Sequence, residues 1–148
     1  MLKQFYEKAL PSQGVYCVSG LTNGRMPNRF TETLDGVIQE IEYLKKKNAD
    51  IFVALGTFEG YSRKADDCLF VKSFFIDLDV GEGKDYASKE DAHAALYRLQ
   101  VASGLPDPVV IDSGGGIHAY WIMDEDIPKD VWKPAAEIFR SEEHTSEL

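Results

Sequence analysis

The stretch Phe74-Phe75-Ile76-Asp77-Leu78-Asp79-Val80 decides the fold, because it predicts a buried β-strand that delivers two carboxylates to its own end. Side chains alternate along a strand, so Phe75, Asp77 and Asp79 share one face. Two aspartates beside bulky apolar residues need a counter-charge. A divalent cation bound through oxygen, Mg²⁺ or Mn²⁺, would supply it. The alternative is a strand that ends in a polar loop with solvated aspartates.

A second informative stretch, Ser113-Gly114-Gly115-Gly116-Ile117-His118, lies between two β-type runs. Three glycines predict a tight turn whose bare backbone lets amides, at Gly115 and Gly116 above all, approach phosphate oxygens. His118 can donate a hydrogen bond to a phosphate, and Ser113 can add a hydroxyl contact. A glycine turn or a strand histidine alone is more often structural. The order of Asp-x-Asp strand, helix and glycine turn together indicates polyphosphate chemistry.

Two cations near the aspartates are further candidates for phosphate contacts. Lys72 lies inside the key strand, and we place it on the same face as Asp77. Arg63 lies in the polar connection before that strand. Each could equally be a solvated surface cation.

The composition is that of a soluble globular domain. The chain has 148 residues, 44% hydrophobic and 28% charged, which suffices for one domain with a real core. It has no apolar run of membrane-spanning length and no secretory pattern, so a cytoplasmic location is expected. Cys17 and Cys68 lack metal-ligand spacing and are predicted to be buried free thiols. The net charge of −9 argues against bulk electrostatic binding of nucleic acid, but not against a local basic groove.

Hydrophobic periodicity and turn residues predict an alternation of strands and helices. A helix with an apolar stripe begins near Leu34 and ends at Asn48, and a capping box at Ser88 begins another that ends at Gly104. The chain is otherwise expected to form a polar lead (1–13), a strand (14–19), a loop (20–29), a central strand (50–58), the key strand (69–79), two further strands (109–112 and 117–123), an acidic loop (124–130) and a final helix (131–139).

The last nine residues, 140–148, resemble a translated sequencing adapter, and we leave them out of the fold and function arguments. On this interpretation the natural chain continues past Phe139, and the tail is non-native.

With both motifs in view, the sequence resembles the archaeo-eukaryotic primase superfamily, especially the primase-polymerase domains of phages and mobile elements. The family's first motif, hydrophobic-Asp-hydrophobic-Asp, is matched by Ile76-Asp77-Leu78-Asp79. Its second, of the Ser-Gly-x-Gly-x-His type, is matched by Ser113-Gly114-Gly115-Gly116-Ile117-His118. The resemblance covers roughly residues 61–132, about half of the chain.

The resemblance implies an α+β fold with a mixed sheet and flanking helices: an RNA-recognition-motif-like (RRM-like) primase palm plus a small α/β part, incomplete at the C-terminus. Residues 1–139 would form the N-terminal part of one catalytic domain. Asp77 and Asp79 would be catalytic and would ligate Mg²⁺ or Mn²⁺, and His118 would contact the phosphates of the incoming nucleotide. The implied partners are nucleoside triphosphates, template DNA and a helicase, fused or separate, with no membrane and in the host cytoplasm if phage-encoded.

One departure from the family is serious. Its third motif, a later strand with another metal-ligating aspartate, has no match before residue 140, so this stretch could be inactive on its own. The expected function is template-directed primer synthesis or extension by a nucleotidyltransferase. The alternatives are a non-catalytic replication initiator or nucleic-acid-binding module on an RRM-like scaffold, and a metal-dependent nuclease.

Overall fold

The structure is a computed structural model that describes residues 2–147, and the side chains of residues 2–139. The described residues form four α-helices, seven strands and a single 3₁₀ turn. In chain order these are α1 (Leu2–Ala9), β1 (Tyr16–Leu21), β2 (Asn28–Thr31), α2 (Leu34–Lys46), β3 (Asp50–Val53), β4 (Gly56–Phe58), the 3₁₀ turn (Ala65–Asp67), β5 (Cys68–Asp79), α3 (Lys89–Ser103), β6 (Val109–Asp112), β7 (Gly116–Pro128) and α4 (Lys129–Glu147). The expected α+β class is confirmed, and both sheets are antiparallel.

Contacts divide the chain into two compact units. The first unit runs up to Lys72 and includes Met123–Trp132, and the second contains Ser73–Ile122 and the chain from Lys133 onwards. One sheet has the strand order β2-β1-β3, and the other has the order β4-β5-β7-β6. The division passes through β5 and β7. The expectation of one domain over residues 1–139 stays a prediction.

The N-terminal residues were expected to be a polar lead, and this expectation is wrong. They form α1, and both its last residue, Ala9, and the residue after it, Leu10, are buried. Leu10 belongs to the core of the first unit with Tyr16 and Val18 of β1, and Tyr6 packs against that core. Because Tyr6 and Leu10 are four positions apart, one face of the helix carries both apolar contacts.

The helix predicted from the stripe at Leu34 is confirmed as α2. The Thr33 side chain accepts a hydrogen bond from the Gly36 amide at 3.0 Å, which caps its first turn. The residues that it buries against the core are Val37, Ile41 and Leu44. Beyond its end, Asn48 adopts a positive φ of 55°, the left-handed conformation that asparagine tolerates after a helix.

The predicted loop 20–29 is instead the turn of a β-hairpin with parts of both strands. Asn23 and Gly24 have φ values of 52° and 76°, as a type I′ turn requires, and Thr22 and Arg25 exchange backbone hydrogen bonds. Strand β2 then pairs with β1 in the register Cys17↔Phe30. Turn chemistry was therefore visible in the sequence, but the strand that follows it was not.

The predicted central strand 50–58 is wrong, because the segment divides between two sheets. Strand β3 is the edge of the first sheet, paired with β1 in the register Val18↔Val53. Strand β4 pairs instead with β5, in the register Gly56↔Val71. Ala54 lies at the break, where its amide donates to the Cys17 carbonyl at 3.0 Å. Apolar character alone does not reveal which partner strand each half will meet.

The key strand is confirmed within one residue, since β5 begins at Cys68 and ends at Asp79. The Ser88 half of the predicted capping box is confirmed, because the Ser88 hydroxyl accepts from the Asp91 amide at 3.1 Å. Helix α3 ends at Ser103 and is capped by Gly104, which has a φ of 69°. The buried face of this helix consists of Ala92, Ala95, Leu96 and Leu99.

The acidic loop predicted at residues 124–130 is wrong, because β7 continues through most of it to Pro128. Within the first unit, Asp126 of β7 connects this strand to the segment that follows α1. Its carboxylate accepts hydrogen bonds from the Ser12 amide and hydroxyl and from the Gln13 amide, at 2.9–3.2 Å. The predicted last helix is α4, which begins two residues early at Lys129. The side chains of the adapter-like tail, 140–148, lie outside the described residues.

Both cysteines are free, with Cys17 buried and Cys68 half-buried, and burial raises the pKa of each thiol. No described helix has the length and apolar character needed to cross a membrane.

Candidate active site

The exposed face of β5 presents the two aspartates that the sequence singled out. Ile76 and Leu78 are buried, while Phe75, Asp77 and Asp79 are exposed. This alternation follows from the two-residue period of a strand whose other face is covered by apolar packing. The predicted sharing of one face by the two carboxylates is therefore seen in the structure.

His118 lies on β7, the strand next to β5, and its side chain faces that of Asp77. Its Nε2 atom lies 3.4 Å from Asp77 Oδ1, which is longer than a strong charge-assisted hydrogen bond. Both side chains remain partly open to solvent. We call the surface formed by Asp77, Asp79 and His118 the carboxylate face. It brings together the Asp-x-Asp motif and the histidine of the glycine motif.

The electrostatics of the carboxylate face oppose the ionised form of Asp77. Partial burial is the main cause that raises the pKa of Asp77, and the neighbouring charge of Asp79 raises it further. His118 acts in the opposite direction and lowers the pKa of Asp77. A bound cation would favour the ionised form of both carboxylates, because it would offset their mutual repulsion and the cost of partial burial.

Two aromatic side chains hold His118 in place. The ring of Phe75 meets the His118 ring edge to face, with centroids 5.1 Å apart, and contacts the Tyr120 ring at 5.0 Å. The Tyr120 hydroxyl lies 3.4 Å from His118 Nδ1. Sequence reasoning missed Tyr120, although its separation of two positions from His118 in a strand placed both on one face.

The glycine turn is bonded to the end of the key strand. The Ser113 amide donates to the Gly116 carbonyl at 3.0 Å, and the Val80 amide donates to the Gly115 carbonyl at 2.9 Å. A Cβ at Gly116 would collide with the Leu78 carbonyl oxygen, so strand packing accounts for this glycine. At Gly115 a Cβ would have no neighbour within 4 Å, which leaves open space beside its backbone.

An ion pair supports the turn, and the sequence analysis did not find it. Lys89 Nζ lies 2.7 and 2.6 Å from the two carboxylate oxygens of Asp112, whose Oδ1 also accepts from the Gly114 amide at 2.8 Å. Gly114 has a φ of 86°, which favours glycine. Lys89 is the first cause that lowers the pKa of Asp112, and the Gly114 amide is the second. The available signal was an Asp followed by Ser-Gly, an Asx-turn pattern.

Two predicted phosphate ligands belong to the first unit rather than to the second. Arg63 lines a pocket of the first unit, and Lys72 is half-buried in β5. The expectation that Lys72 shares a face with Asp77 stays a prediction. Ser113 is exposed in the turn, and a nucleotide contact by any of these residues stays a prediction.

The donor set of the carboxylate face fits a hard divalent cation in part. Mg²⁺ is commonly bound by one or two carboxylates, with phosphate oxygens and waters completing the shell, and Asp77 and Asp79 supply that minimum. Within the part of the chain that the structure describes, no group of three or more His, Cys, Asp or Glu side chains could hold a metal ion.

Comparisons with known proteins bear on the fold. No family model and no curated protein matches the chain in sequence. A solved structure that it resembles is the AEP domain of the primase-polymerase (PrimPol) of cyanophage S-2L, with a TM-score of 0.60 at 15% identity. The match covers 88% of this chain, and the chain spans 65% of that structure's length. This chain therefore has a fold like that of a phage primase-polymerase AEP domain.

Proposed function

We propose that this chain is part of a primase-polymerase-type nucleotidyltransferase that extends or initiates primers on template DNA from nucleoside triphosphates. The observation that carries the proposal is the carboxylate face, where Asp77 and Asp79 lie beside His118 and next to the glycine turn. The fold likeness to a phage primase-polymerase domain supports it at the level of architecture. The cytoplasm of a phage host is the proposed location.

Each residue of this site would have its own role in binding the metal ion or the triphosphate. Asp77 and Asp79 would hold Mg²⁺ or Mn²⁺, which supplies charge neutralisation of the phosphates and Lewis-acid activation when bound. His118, oriented by Phe75 and Tyr120, would donate a hydrogen bond to a phosphate oxygen. The open backbone at Gly115 would let the triphosphate come close, and the Ser113 hydroxyl would add a contact.

The reaction would be attack of a primer 3′-hydroxyl on the α-phosphorus of a nucleoside triphosphate. The new phosphodiester bond forms as the bond to the pyrophosphate leaving group breaks. The hydroxyl proton leaves to solvent or to a basic group near the attacking oxygen.

One observation favours a second candidate, a non-catalytic module that binds nucleic acid in replication initiation. The described residues contain no metal-ligating group of three or more side chains, whereas the family pattern calls for a third carboxylate. Such a module would bind DNA without metal and would not bind nucleoside triphosphates. A helicase partner is proposed for either candidate.

The test uses the full chain with a labelled primer on a DNA template, ribo- or deoxynucleoside triphosphates, and Mn²⁺ or Mg²⁺. Primer extension with release of pyrophosphate is expected, and Mn²⁺ binding is measured in parallel by the electron paramagnetic resonance of the free ion. Asp77→Ala with Asp79→Ala should abolish primer extension and restore the full spectrum of free Mn²⁺. Asp124→Ala with Glu125→Ala, two exposed acids of β7, is the charge-matched control.

The outcomes separate the candidates. Extension that survives the double Asp77/Asp79 substitution would overturn the proposal, as would a wild-type chain that binds neither Mn²⁺ nor nucleoside triphosphate. DNA binding that needs neither metal nor nucleotide would then favour the non-catalytic module. Release of mononucleotides from the primer, instead of pyrophosphate, would identify a metal-dependent nuclease.

A further inference from the structure

The loop between β4 and β5 in the first unit forms an ordered platform. The Glu59 amide donates to the Asp67 carbonyl at 2.8 Å and closes the base of the loop. Within it, the Ser62 hydroxyl donates to Asp67 Oδ2 at 2.6 Å, and Lys129 Nζ donates to the Ala65 carbonyl at 2.7 Å. These bonds fix the backbone on both sides of the residues that the loop presents to solvent.

Tyr61 is the most prominent of these presented residues. Its ring lies parallel to that of Phe30 on β2, with centroids 5.5 Å apart and an interplanar angle of 10°. Phe30 covers one side of the ring, yet Tyr61 is still 67% exposed. An exposed aromatic face that is already held in place can accept a planar ring at little cost in side-chain entropy.

Two cations lie beside this aromatic pair. Arg63 and Lys64 line the same pocket as Phe30 and Tyr61, and neither forms an ion pair with another residue that the structure describes. The one acid of the pocket wall, Asp67, already accepts the Ser62 hydroxyl. The pocket therefore combines a stacking surface with two cations and one carboxylate, and so has a net positive charge, although the chain as a whole is acidic.

The polar wall of the pocket also carries a side-chain amide. The Ser19 hydroxyl donates to Asn28 Oδ1 at 2.7 Å, which directs the amide nitrogen of Asn28 away from that bond as a hydrogen-bond donor. The cavity measures about 980 Å³. This volume is ample for a nucleotide, since small-molecule sites commonly range from about 300 to about 1,000 Å³.

We infer that this cavity, hereafter the stacking pocket (Asn28, Phe30, Tyr61, Arg63 and Lys64), binds a nucleotide unit. The base stacks on the exposed face of Tyr61, and Arg63 and Lys64 contact the phosphate. The nucleotide can be a free mononucleotide or one unit of a single strand, since both offer a base with an attached phosphate. A duplex is excluded because its bases are stacked on each other. The inference does not depend on the proposed transfer activity.

The first experiment measures binding of a labelled oligothymidylate by fluorescence anisotropy, with the full chain in EDTA. Asp77→Ala with Asp79→Ala is the background, so that a metal-dependent site does not contribute. Tyr61→Ala should weaken binding about 5- to 100-fold, and Tyr61→Phe should leave it within about twofold. Tyr97→Ala is the matched control, because Tyr97 on α3 is 68% exposed and should not contribute to binding.

The second experiment tests the cations through the salt dependence of binding. Arg63→Ala or Lys64→Ala should lower the slope of log K against log salt by about 0.7 for each phosphate contact removed. Lys8→Ala, an exposed cation of α1, should leave the slope unchanged. Competition by thymidine monophosphate at millimolar concentration identifies a mononucleotide pocket, and competition by unlabelled oligothymidylate alone identifies a single-strand site.

The inference is overturned if Tyr61→Ala binds oligothymidylate as tightly as Tyr97→Ala, or if wild type binds neither oligothymidylate nor mononucleotide. Equal binding of duplex and single strand would also overturn it. Should Tyr61→Ala lower the melting temperature, Tyr61→Leu keeps the apolar bulk against Phe30 and removes the stacking surface. Loss of oligothymidylate binding in that variant still supports the pocket.

Discussion

The carboxylate face and the stacking pocket are opposite in chemistry and in construction. The carboxylate face consists of side chains that alternate along β5 and β7, so strand geometry places Asp77 and His118. The stacking pocket depends on an irregular loop whose Tyr61 and Arg63 are placed by turns and by hydrogen bonds to distant residues. The first presents two carboxylates and a histidine, whereas the second presents aromatic rings and two cations. On the two proposals made above, the phosphates of a nucleotide would be bound at the first surface and a base would stack at the second.

The largest effect is expected from Asp77→Ala with Asp79→Ala, which tests whether the carboxylate face and the stacking pocket act independently. Loss of both carboxylates removes the ligands for the cation, and we expect metal-dependent primer extension to fall at least about 1,000-fold. Binding of oligothymidylate in EDTA should stay within about twofold, because the stacking pocket contains neither aspartate. Parallel extension and anisotropy measurements on one preparation check this. A comparable loss in both assays would show that the two surfaces are not chemically independent.

A second test compares two glycines of the turn. Gly116→Ala should lower the free energy of unfolding by about 1–3 kcal/mol, since its Cβ would collide with the Leu78 carbonyl oxygen. Gly115→Ala should be close to neutral in stability, because open space surrounds that position. Urea denaturation followed by tryptophan fluorescence measures both. Equal destabilisation by the two changes would contradict the strand packing described for Gly116.

A third test addresses the loop of the stacking pocket. Gly60 precedes Tyr61 and has a φ of 70°, but an added Cβ would meet no atom within 4 Å. Gly60→Ala should therefore cost about 1 kcal/mol through backbone strain alone. We expect weaker oligothymidylate binding and unchanged Mn²⁺ binding. Gly24→Ala is the control, because Gly24 has a similar φ of 76° and open space in a different turn.

The smallest expected effect concerns pH and the ion pair of the turn. The pKa of Asp112 lies below its ordinary value of 3.8 because Lys89 and the Gly114 amide bind its carboxylate. The stabilisation is therefore present above pH 3.8 and is lost as pH falls through the lowered pKa. The difference in melting temperature between wild type and Asp112→Asn should shrink as pH is lowered from 6 towards 2. A difference that stays constant over this range would contradict the assigned ion pair.

What the sequence predicted correctly is mostly local in origin. The face shared by Asp77 and Asp79 follows from the period of one strand. The left-handed Asn48 just beyond α2 and the cap at Ser88 follow from the residues around each helix terminus. The α+β class follows from the succession of such elements. None of these features requires knowledge of a distant partner.

What the sequence did not predict depends on contacts between segments far apart in the chain. The division of residues 50–58 into β3 and β4 is set by two different partner strands. Asp126 lies in β7, and its carboxylate accepts hydrogen bonds from the Ser12 and Gln13 amides, more than 100 positions away. The stacking of Tyr61 on Phe30 likewise joins a loop to a strand, and neither residue belongs to a recognisable pattern by itself.

The hydrogen bond from the Val80 amide to the Gly115 carbonyl has a consequence for how this protein can vary in length. Residues 81–114 connect the end of β5 to the glycine turn, and this one backbone hydrogen bond holds the two ends of that segment together. Insertions or deletions in residues 81–87 would then leave the relative positions of Asp79 and Gly115 intact. In natural relatives of this chain, variation in length should therefore concentrate there, while the spacing within each motif stays fixed.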